Sequence, residues 1–259
     1  MPSLRPLPAL SDNYIWLLAD EAAGTALVVD PGEARPVLDA LAADDLTLTA
    51  ILLTHHHSDH IGGTFELVER FPDAVVYAPH DDRIANAARR VADGDTVTIP
   101  SPAARFRVME VHGHTRSHIA YYGEGLLFCG DTLFSLGCGR LFEGEPADML
   151  ASLDRLAALP GDTRVCCGHE YTLANAAFAR TVEPDNHALA TRTDAARALR
   201  ARDVPTLPAV LGDERAANPF LRVEAIRDER MPWPSGAAPS RNRVDRFAAL
   251  RLAKDHFRA

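Results

Sequence analysis

The feature that most constrains this chain is a short polar segment that directly follows an apolar strand. The strand is predicted over Ala50–Leu53, and the segment after it is Thr54–His60. Open α/β sheets place their sites beyond the carboxyl ends of strands. Imidazole and carboxylate ligands together suit zinc, iron or manganese. The segment therefore predicts an α/β protein with a metal site, and it supplies four candidate ligands: His55, His57, Asp59 and His60.

Three further candidate ligands follow later predicted strands. Each comes directly after a glycine, which lets the backbone turn sharply and approach a bound ion closely. They are His114 after Gly113, Asp131 after Gly130 and His169 after Gly168. The same arrangement at three positions argues against coincidence and favours all three as candidate ligands.

The periodicity of apolar residues predicts two sheets with helices around them. Strands and helices alternate in the first part of the chain, whereas consecutive strands follow from Thr96, which indicates a second sheet. The predicted strands are Ile15–Ala19, Ala26–Asp30, Ala50–Thr54, Thr96–Ile99, Phe106–Val111, Ile119–Tyr122, Leu126–Cys129 and Arg164–Cys167. The predicted helices in this region are Glu33–Ala42, Gly62–Arg70 and Ala147–Leu159. The expected fold class is α/β (α+β), a sandwich of two sheets with helices on both outer faces.

The C-terminal part of the chain has a different character, because no strand pattern is evident beyond Tyr171. Helices are predicted over Leu173–Arg180, Asn186–Ala201 and Arg243–Phe257, with a proline-rich stretch between the last two. We therefore expect a catalytic domain over residues 1–171 and a small helical, substrate-binding domain over residues 172–259.

Composition narrows the possible functions. The formal charge of −9 argues against a nucleic-acid partner, because phosphate binding needs a basic surface. The four cysteines are too few for a disulfide scaffold and are expected to be reduced, mostly buried thiols. Neither a membrane-spanning run nor a secretory signal is recognisable, so we expect a cytoplasmic protein without a membrane partner, and a monomer.

The pattern HxHxDH, followed by a spaced His, Asp and His, resembles the metallo-β-lactamase superfamily. The resemblance implies an αββα sandwich and two metal ions with seven ligands. It assigns His55, His57 and His114 to one ion, Asp59, His60 and His169 to the other, and Asp131 to both as a bridge. Zinc is the expected metal, and iron, manganese or a mixture remain open.

The other histidines are expected to have different roles. His56 lies between two ligands and should point away from the metals by alternation. His112 and His118 are either residues that orient a ligand through a hydrogen bond or ordinary structural residues. The remaining three are expected to face solvent: His80, His187 and His256.

Such a centre favours hydrolysis. Two ions about 3.5 Å apart can share a hydroxide, which then acts as the nucleophile, and can polarise a carbonyl. Asp59 is expected to help orient this hydroxide, and Asp131 to bridge the ions that hold it.

Several stretches also resemble glyoxalase II, the hydroxyacylglutathione hydrolase family. They are Ser11–Tyr14, Gly130–Phe134, Gly137–Arg140, Gly168–Thr172, Asn218–Arg222 and the pair Arg251 and Lys254. In that family cationic residues hold a carboxylate of glutathione, and two of them lie three apart on the final helix. The resemblance therefore implies substrate-binding roles for Arg140, Tyr171, Arg251 and Lys254, where Lys254 is the single lysine of the chain.

The chain departs from the commoner family pattern at two positions. Arg140 replaces a lysine and keeps the charge, whereas Phe142 replaces a tyrosine and cannot donate a hydroxyl hydrogen bond. Two simpler interpretations also remain open: Arg251 and Lys254 as solvated residues of an exposed helix, and Tyr171 as a packing aromatic.

The implied reaction is hydrolysis of S-D-lactoylglutathione, or a related 2-hydroxyacyl thioester, to the 2-hydroxy acid and glutathione, in methylglyoxal detoxification. Alternatives are a persulfide dioxygenase, which has the same fold and one iron, a lactonase, and a nuclease, which the net acidity disfavours. A metal-binding module without catalysis is a further alternative, although all seven ligand positions are filled.

Overall fold

The structure is a computed structural model, and it describes residues 2–236, 239–240 and 242–258. Its contacts divide the chain into two compact units. The first unit comprises Met1–Glu110 and Ser117–Gly130, and the second comprises Val111–Arg116 and Asp131–Ala259.

The first unit contains a six-stranded mixed sheet in the order β1-β2-β3-β4-β5-β6. Neighbouring strands are antiparallel from β1 to β3 and parallel from β3 to β6. The strands are β1 Ser3–Ala9, β2 Asn13–Asp20, β3 Thr25–Val29, β4 Thr47–Leu52, β5 Val75–Ala78 and β6 Arg89–Arg90.

Three helices of the first unit belong to the connections of this sheet. They are α1 Arg35–Ala43, α2 Ser58–Ile61 and α3 Thr64–Arg70. Val37 and Leu41 of α1 and Leu67 of α3 are fully or almost fully buried in one apolar cluster with side chains of β2 and β4, such as Leu17 and Ile51. Burial of these side chains attaches the helices to one face of the sheet, at roughly 25 cal/mol for each Å² of apolar surface removed from water.

An antiparallel set of four strands covers the other face. Its strands are β7 Thr96–Ile99, β8 Ala104–Glu110, β9 Ile119–Gly123 and β10 Leu126–Gly130. The rings of Trp16 and Phe128 join the two layers, with centroids 6.5 Å apart, and Phe106 packs on Phe128 at 5.7 Å within the second layer. The hydroxyl of Tyr121 also donates a 3.1 Å hydrogen bond to the carbonyl of Leu53. The predicted second sheet is thereby confirmed.

The second unit is mostly helical. Its strands are short: β11 Leu133–Phe134, β12 Gly137–Cys138, β13 Arg164–Cys167 and β14 Ala209–Val210. Its helices are α4 Pro146–Ala157, α5 Thr172–Val182, α6 His187–Arg200, α7 Leu211–Ala217 and α8 Arg243–His256, with 3-10 turns at Pro219–Leu221 and Asp228–Arg230. The helices predicted from the sequence agree with these bounds within about two residues.

Two expectations about secondary structure were wrong. The strand β14 lies beyond Tyr171, where no strand was expected, and α7 lies inside the proline-rich stretch. Some elements were not predicted at all, among them β5 and the strand β1, which contains Pro6 and Pro8. Both prolines are tolerated because β1 is the edge strand of its sheet. An edge strand has only one neighbour, so a residue without an N–H group can face the side on which no strand needs a hydrogen bond.

Candidate metal centre and adjoining cavity

The ligand segment of the first unit begins just after β4, as the sequence predicts. His55 and His60 are almost completely buried, whereas His57 and Asp59 are partly exposed. Nε2 of His55 lies 3.1 Å from Nδ1 of His57, and Nε2 of His60 lies 3.5 Å from a carboxylate oxygen of Asp59. Four donor side chains are thus concentrated at the end of one strand.

Two residues that the sequence analysis did not single out orient this segment. Asp30 follows β3, and its carboxylate accepts hydrogen bonds from the backbone N–H and the hydroxyl of Thr54 at 2.8 and 2.7 Å. The same carboxylate lies 3.0 Å from Nδ1 of His60. The amide of Asn13 donates to the carboxylate of Asp59 at 3.0 Å and to its carbonyl at 3.2 Å. Hydrogen bonds of this kind fix the orientation of metal ligands.

One signal in the sequence could have identified Asp30. It stands at the carboxyl end of an apolar strand parallel to β4, the same position relative to its strand that the ligand segment has. The sequence analysis treated Asp30 only as the last residue of the predicted strand Ala26–Asp30.

The remaining histidines of the first unit have positions that agree with their predicted roles. Nδ1 of His56 lies 3.4 Å from the carboxylate of Asp81, and Arg83 holds the pKa of that carboxyl well below its usual range by a hydrogen bond. His118 is fully buried and stacks on the ring of His55 with centroids 4.6 Å apart. His80 is exposed as expected, and so are His187 and His256 of the second unit.

The second unit brings the other three predicted ligands together. One carboxylate oxygen of Asp131 lies 3.4 Å from Nε2 of His114 and 3.3 Å from Nε2 of His169. Nδ1 of His114 lies 2.9 Å from the carbonyl of Arg140, so the N–H must be on Nδ1 and the lone pair on Nε2. All three side chains are at least nine-tenths buried.

Glycines before two of these ligands are required by the backbone. Gly130 has a φ of +46°, and a Cβ on it would lie 2.3 Å from the Thr54 hydroxyl. Gly113 has a φ of +137°, and a Cβ there would lie 2.7 Å from the Cβ of Met149. Positive φ and close approach both favour glycine, as the sequence analysis anticipated for these two positions.

A cavity of about 470 Å³ lies in the second unit, and two of the predicted ligands, His114 and Asp131, line one part of it. Its walls include all four residues that the sequence analysis assigned to substrate binding, together with three phenylalanines: Arg140, Tyr171, Arg251, Lys254, Phe134, Phe142 and Phe257.

The aromatic rings of the cavity pack on the ligand side chains. Tyr171 stacks on His169 with centroids 4.7 Å apart and nearly parallel planes, and Phe134 meets Tyr171 edge-on at 5.2 Å. Phe142 meets His114 edge-on at 5.2 Å and is 63% exposed. Tyr171 therefore packs against a predicted ligand and lines the cavity at the same time.

The cationic side chains of the cavity differ in their surroundings. Arg251 is 5% exposed and donates a 2.8 Å hydrogen bond to the carbonyl of Cys138, and its Nη2 lies 2.9 Å from the carboxylate of Asp255. Arg140 is largely exposed, with its Nε 3.7 Å from that carboxylate. Burial lowers the pKa of Lys254, and the positive charges of Arg251 and Arg140 lower it further.

The buried thiols are protonated at neutral pH, although Nη1 of Arg251 lies 3.7 Å from Sγ of Cys138. Burial raises the pKa of Cys138 to about 11 and that of Cys167 to about 12. All four cysteines are free and buried, as predicted. Because a thiol with such a pKa is protonated at neutral pH, Cys138 cannot serve as a ready nucleophile in the cavity.

The donor set fits divalent metal ions. The first unit offers three imidazoles and a carboxylate, and the second offers two imidazoles and the carboxylate of Asp131. Neutral imidazole and carboxylate are the ligands that zinc, iron and manganese accept. Asp30 is itself within reach of His55 and His60, but its oxygens already accept the hydrogen bonds described above, which indicates an orienting role.

Comparison with known proteins agrees with the fold. The family model of the metallo-beta-lactamase superfamily matches residues 10–169, and that of the hydroxyacylglutathione hydrolase C-terminus matches residues 170–257. The crystal structure of BLEG-1 B3 metallo-beta-lactamase is similar with a TM-score of 0.63 and 25% identity, over 85% of this chain and 99% of that one. The chain therefore belongs to the metallo-beta-lactamase superfamily, and the predicted αββα fold with a helical C-terminal region is confirmed.

Curated relatives define the family more narrowly. A hydroxyacylglutathione hydrolase of Xanthomonas campestris pv. campestris (strain B100) is 54% identical over 256 residues, which is 99% of both chains. One of Xylella fastidiosa (strain 9a5c) is 53% identical, over 98% of this chain and 97% of that relative. Within the superfamily, the chain belongs to the hydroxyacylglutathione hydrolases, or glyoxalase II enzymes.

In the part of the chain that the structure describes, no helix is both long enough and apolar enough to cross a bilayer.

Proposed function

We propose that the protein hydrolyses S-(2-hydroxyacyl)glutathione, with S-D-lactoylglutathione as the expected substrate, to the 2-hydroxy acid and glutathione. The observation that carries the proposal is the cavity of the second unit. It combines the metal-ligand side chains His114 and Asp131 with three cationic side chains. Full-length similarity to hydroxyacylglutathione hydrolases supports the same reaction.

The proposed centre holds two divalent ions, of which zinc is the expected species and iron or manganese the alternatives. His55, His57 and His114 are assigned to one ion, Asp59, His60 and His169 to the other, and Asp131 to both. This assignment is supported by the clustering of the donor side chains within each unit: four lie together in the first unit and three in the second. The single oxygen of Asp131 that lies near two imidazole nitrogens suits a bridging role.

When bound, the ions supply Lewis acidity, which polarises the thioester carbonyl and lowers the pKa of a water molecule so that it can attack near neutral pH. The residues around them provide orientation. Asn13 holds Asp59 through two hydrogen bonds, and Asp30 holds His60. Asp59 is 36% exposed and is proposed to orient the attacking water as a hydrogen-bond acceptor.

The glutathione part of the substrate is proposed to bind in the cavity of the second unit. Glutathione carries carboxylates, and a carboxylate gains most from cationic donors in a partly desolvated site. Lys254 and Arg140 are the proposed direct partners, together with Arg251, and Tyr171 forms an aromatic wall. The leaving group is a thiolate, whose conjugate acid has a pKa near 8.5, so departure needs no dedicated proton donor.

Other predictions about the chain stay predictions. They are the monomeric state, the cytoplasmic location and a domain division between Tyr171 and Thr172.

The proposal is tested by steady-state hydrolysis of S-D-lactoylglutathione with zinc-loaded protein. Turnover should disappear on chelation and return with zinc. Lys254→Ala and Arg251→Ala should raise KM several-fold with little change in kcat, whereas Arg197→Ala, an exposed arginine of α6, should change neither. A lactoyl thioester of N-acetylcysteamine lacks the carboxylates, so its hydrolysis should be insensitive to Lys254→Ala. Absence of turnover by folded, metal-loaded protein would contradict the proposed reaction, and an unchanged KM in both cavity variants would contradict the proposed binding site.

A further inference from the structure

The turn between β11 and β12 is held by a buried carboxylate from α7. Glu214 is completely buried and accepts a 2.6 Å hydrogen bond from the hydroxyl of Ser135 and a 2.7 Å hydrogen bond from the backbone N–H of Leu136. The side-chain amide of Asn218 donates to the same carboxylate at 3.2 Å. Leu136 has a φ of +59°, which is costly for a residue with a side chain, so this turn depends on its partners.

An arginine of α6 extends these contacts to a second segment. Nη2 of Arg192 donates to the hydroxyl of Ser135 at 3.1 Å and to the carbonyl of Thr206 at 2.8 Å. Ser135 thus donates to Glu214 and accepts from Arg192. Two separate loops are joined through one guanidinium group.

The contacts continue from Thr206 to the residue beside a metal ligand. The backbone N–H and the hydroxyl of Thr206 lie 2.8 and 2.6 Å from the two carboxylate oxygens of Glu170. Glu170 directly follows His169. A continuous polar chain therefore runs from the turn that begins four residues after Asp131 to the residue next to His169.

We propose that Arg192 and Glu214 are positioning residues for the metal ligands Asp131 and His169. Neither residue lines the cavity or belongs to the ligand set, and both act through the backbone segments that carry the ligands. The distance of 3.3 Å between the carboxylate of Asp131 and Nε2 of His169 depends on the relative placement of those segments. Helices α6 and α7 thus serve the metal centre as well as the fold. The inference rests on the proposed metal site but not on the proposed substrate.

The test measures zinc retention in competition with a chromogenic chelator, without any thioester. Arg192→Met keeps the length of the side chain and removes its donors, and we expect the chelator concentration needed to remove half the zinc to fall about ten-fold, the lower end of the range for partners of metal ligands. Arg192→Lys restores one donor and should recover part of the loss. Arg197→Met is the matched control, because Arg197 lies on the same helix and pairs only with the exposed Asp194 in the described structure.

Kinetics and a second variant separate positioning from folding. Glu214→Gln keeps the shape of the side chain but can accept fewer hydrogen bonds, so it should weaken zinc retention in the same direction. For Arg192→Met we expect a several-fold lower kcat for S-D-lactoylglutathione at saturating zinc and a smaller change in KM. The proposal would be overturned if Arg192→Met lowered the Tm but retained zinc and kept a kcat equal to that of Arg197→Met. Arg192 would then stabilise the fold alone. If the wild type retained zinc but did not cleave the thioester, the substrate assignment alone would fail.

Discussion

The carboxylate of Asp30 lies 3.0 Å from Nδ1 of His60, although 29 residues separate them in the chain. Because a carboxylate only accepts, the imidazole must carry its proton on Nδ1, and its lone pair is then on Nε2. The backbone supports this placement, since Asp30 adopts a φ of +53° just after β3. The residue therefore sets the tautomer of a proposed ligand.

We expect Asp30→Asn to weaken zinc retention by about 10- to 100-fold. The carboxylate now accepts hydrogen bonds from Thr54 and His60, and the NH₂ group of asparagine would place a donor against one of these donors. If the NH₂ group lay opposite His60, it would favour the tautomer with the proton on Nε2. Asparagine tolerates positive φ, so the substitution adds little backbone strain. Asp45→Asn is the control, because Asp45 has a φ of +52° and is exposed. Zinc titration against a chelator measures the effect, and equal retention in the two variants would exclude the orienting role.

Lys254 provides a prediction about pH. Burial and two neighbouring arginines lower its pKa from the usual 10.5, and loss of its proton removes a positive charge from the cavity. Binding of an anionic substrate should therefore be constant below the lowered pKa and weaken as pH rises through it. The KM for S-D-lactoylglutathione should rise at alkaline pH in the wild type and stay flatter in Lys254→Arg.

The same residue can be followed chemically, because it is the only lysine of the chain. An amine-reactive reagent should modify the wild type at Lys254 and at the α-amino group, but Lys254→Arg at the α-amino group alone. Saturating S-methylglutathione should slow modification of Lys254. Modification at an unchanged rate in its presence would place glutathione elsewhere.

Phe142 tests the consequence of a departure from the family pattern. Its ring is 63% exposed, lines the cavity and meets His114 edge-on, so a hydroxyl can be added without crowding. We expect Phe142→Tyr to lower the KM about five-fold, the equivalent of one hydrogen bond of ~1 kcal/mol, with Tm unchanged. Phe65→Tyr, at a ring that is 60% exposed in the first unit, is the control. An unchanged KM in the cavity variant would show that the hydroxyl finds no partner on the substrate.

The sequence predicted the parts of the site that are local in the chain. The candidate ligands of Thr54–His60 and the glycines before His114 and Asp131 were identified by their spacing and by the strands that precede them, and the structure places these side chains at the strand ends. The helices were predicted because their apolar faces repeat at helical spacing.

Long-range polar partners could not be predicted in the same way. Ser135 and Glu214 are 79 residues apart, and a buried carboxylate between two loops has no spacing that distinguishes it from an exposed one. The roles of Glu214 and Arg192 therefore became visible only in three dimensions. Strand β1 was missed for a related reason. Proline is tolerated in an edge strand, and the sequence alone does not show which strand lies at the edge of the sheet.

Gly130 offers a test of the link between backbone geometry and the ligand segment within the first unit. A Cβ at this position would lie 2.3 Å from the hydroxyl of Thr54 and 2.8 Å from Nε2 of His118, and the φ of +46° is itself unfavourable for alanine. Gly94 has a φ of +84° with nothing within 4 Å of the added atom, so Gly94→Ala carries the backbone cost alone. That cost is about 1–2 kcal/mol, and overpacking adds about 1–3 kcal/mol.

We therefore expect urea unfolding to show a larger loss of stability for Gly130→Ala than for Gly94→Ala. Displacement of Thr54 and His118 should also reduce zinc retention in Gly130→Ala, because Thr54 bonds to Asp30 and His118 stacks on His55. Gly94→Ala should retain zinc as the wild type does. Equal unfolding free energies in the two variants would mean that the side chains around Gly130 can move to accommodate a Cβ without loss of stability. The glycine would then be needed for its φ alone.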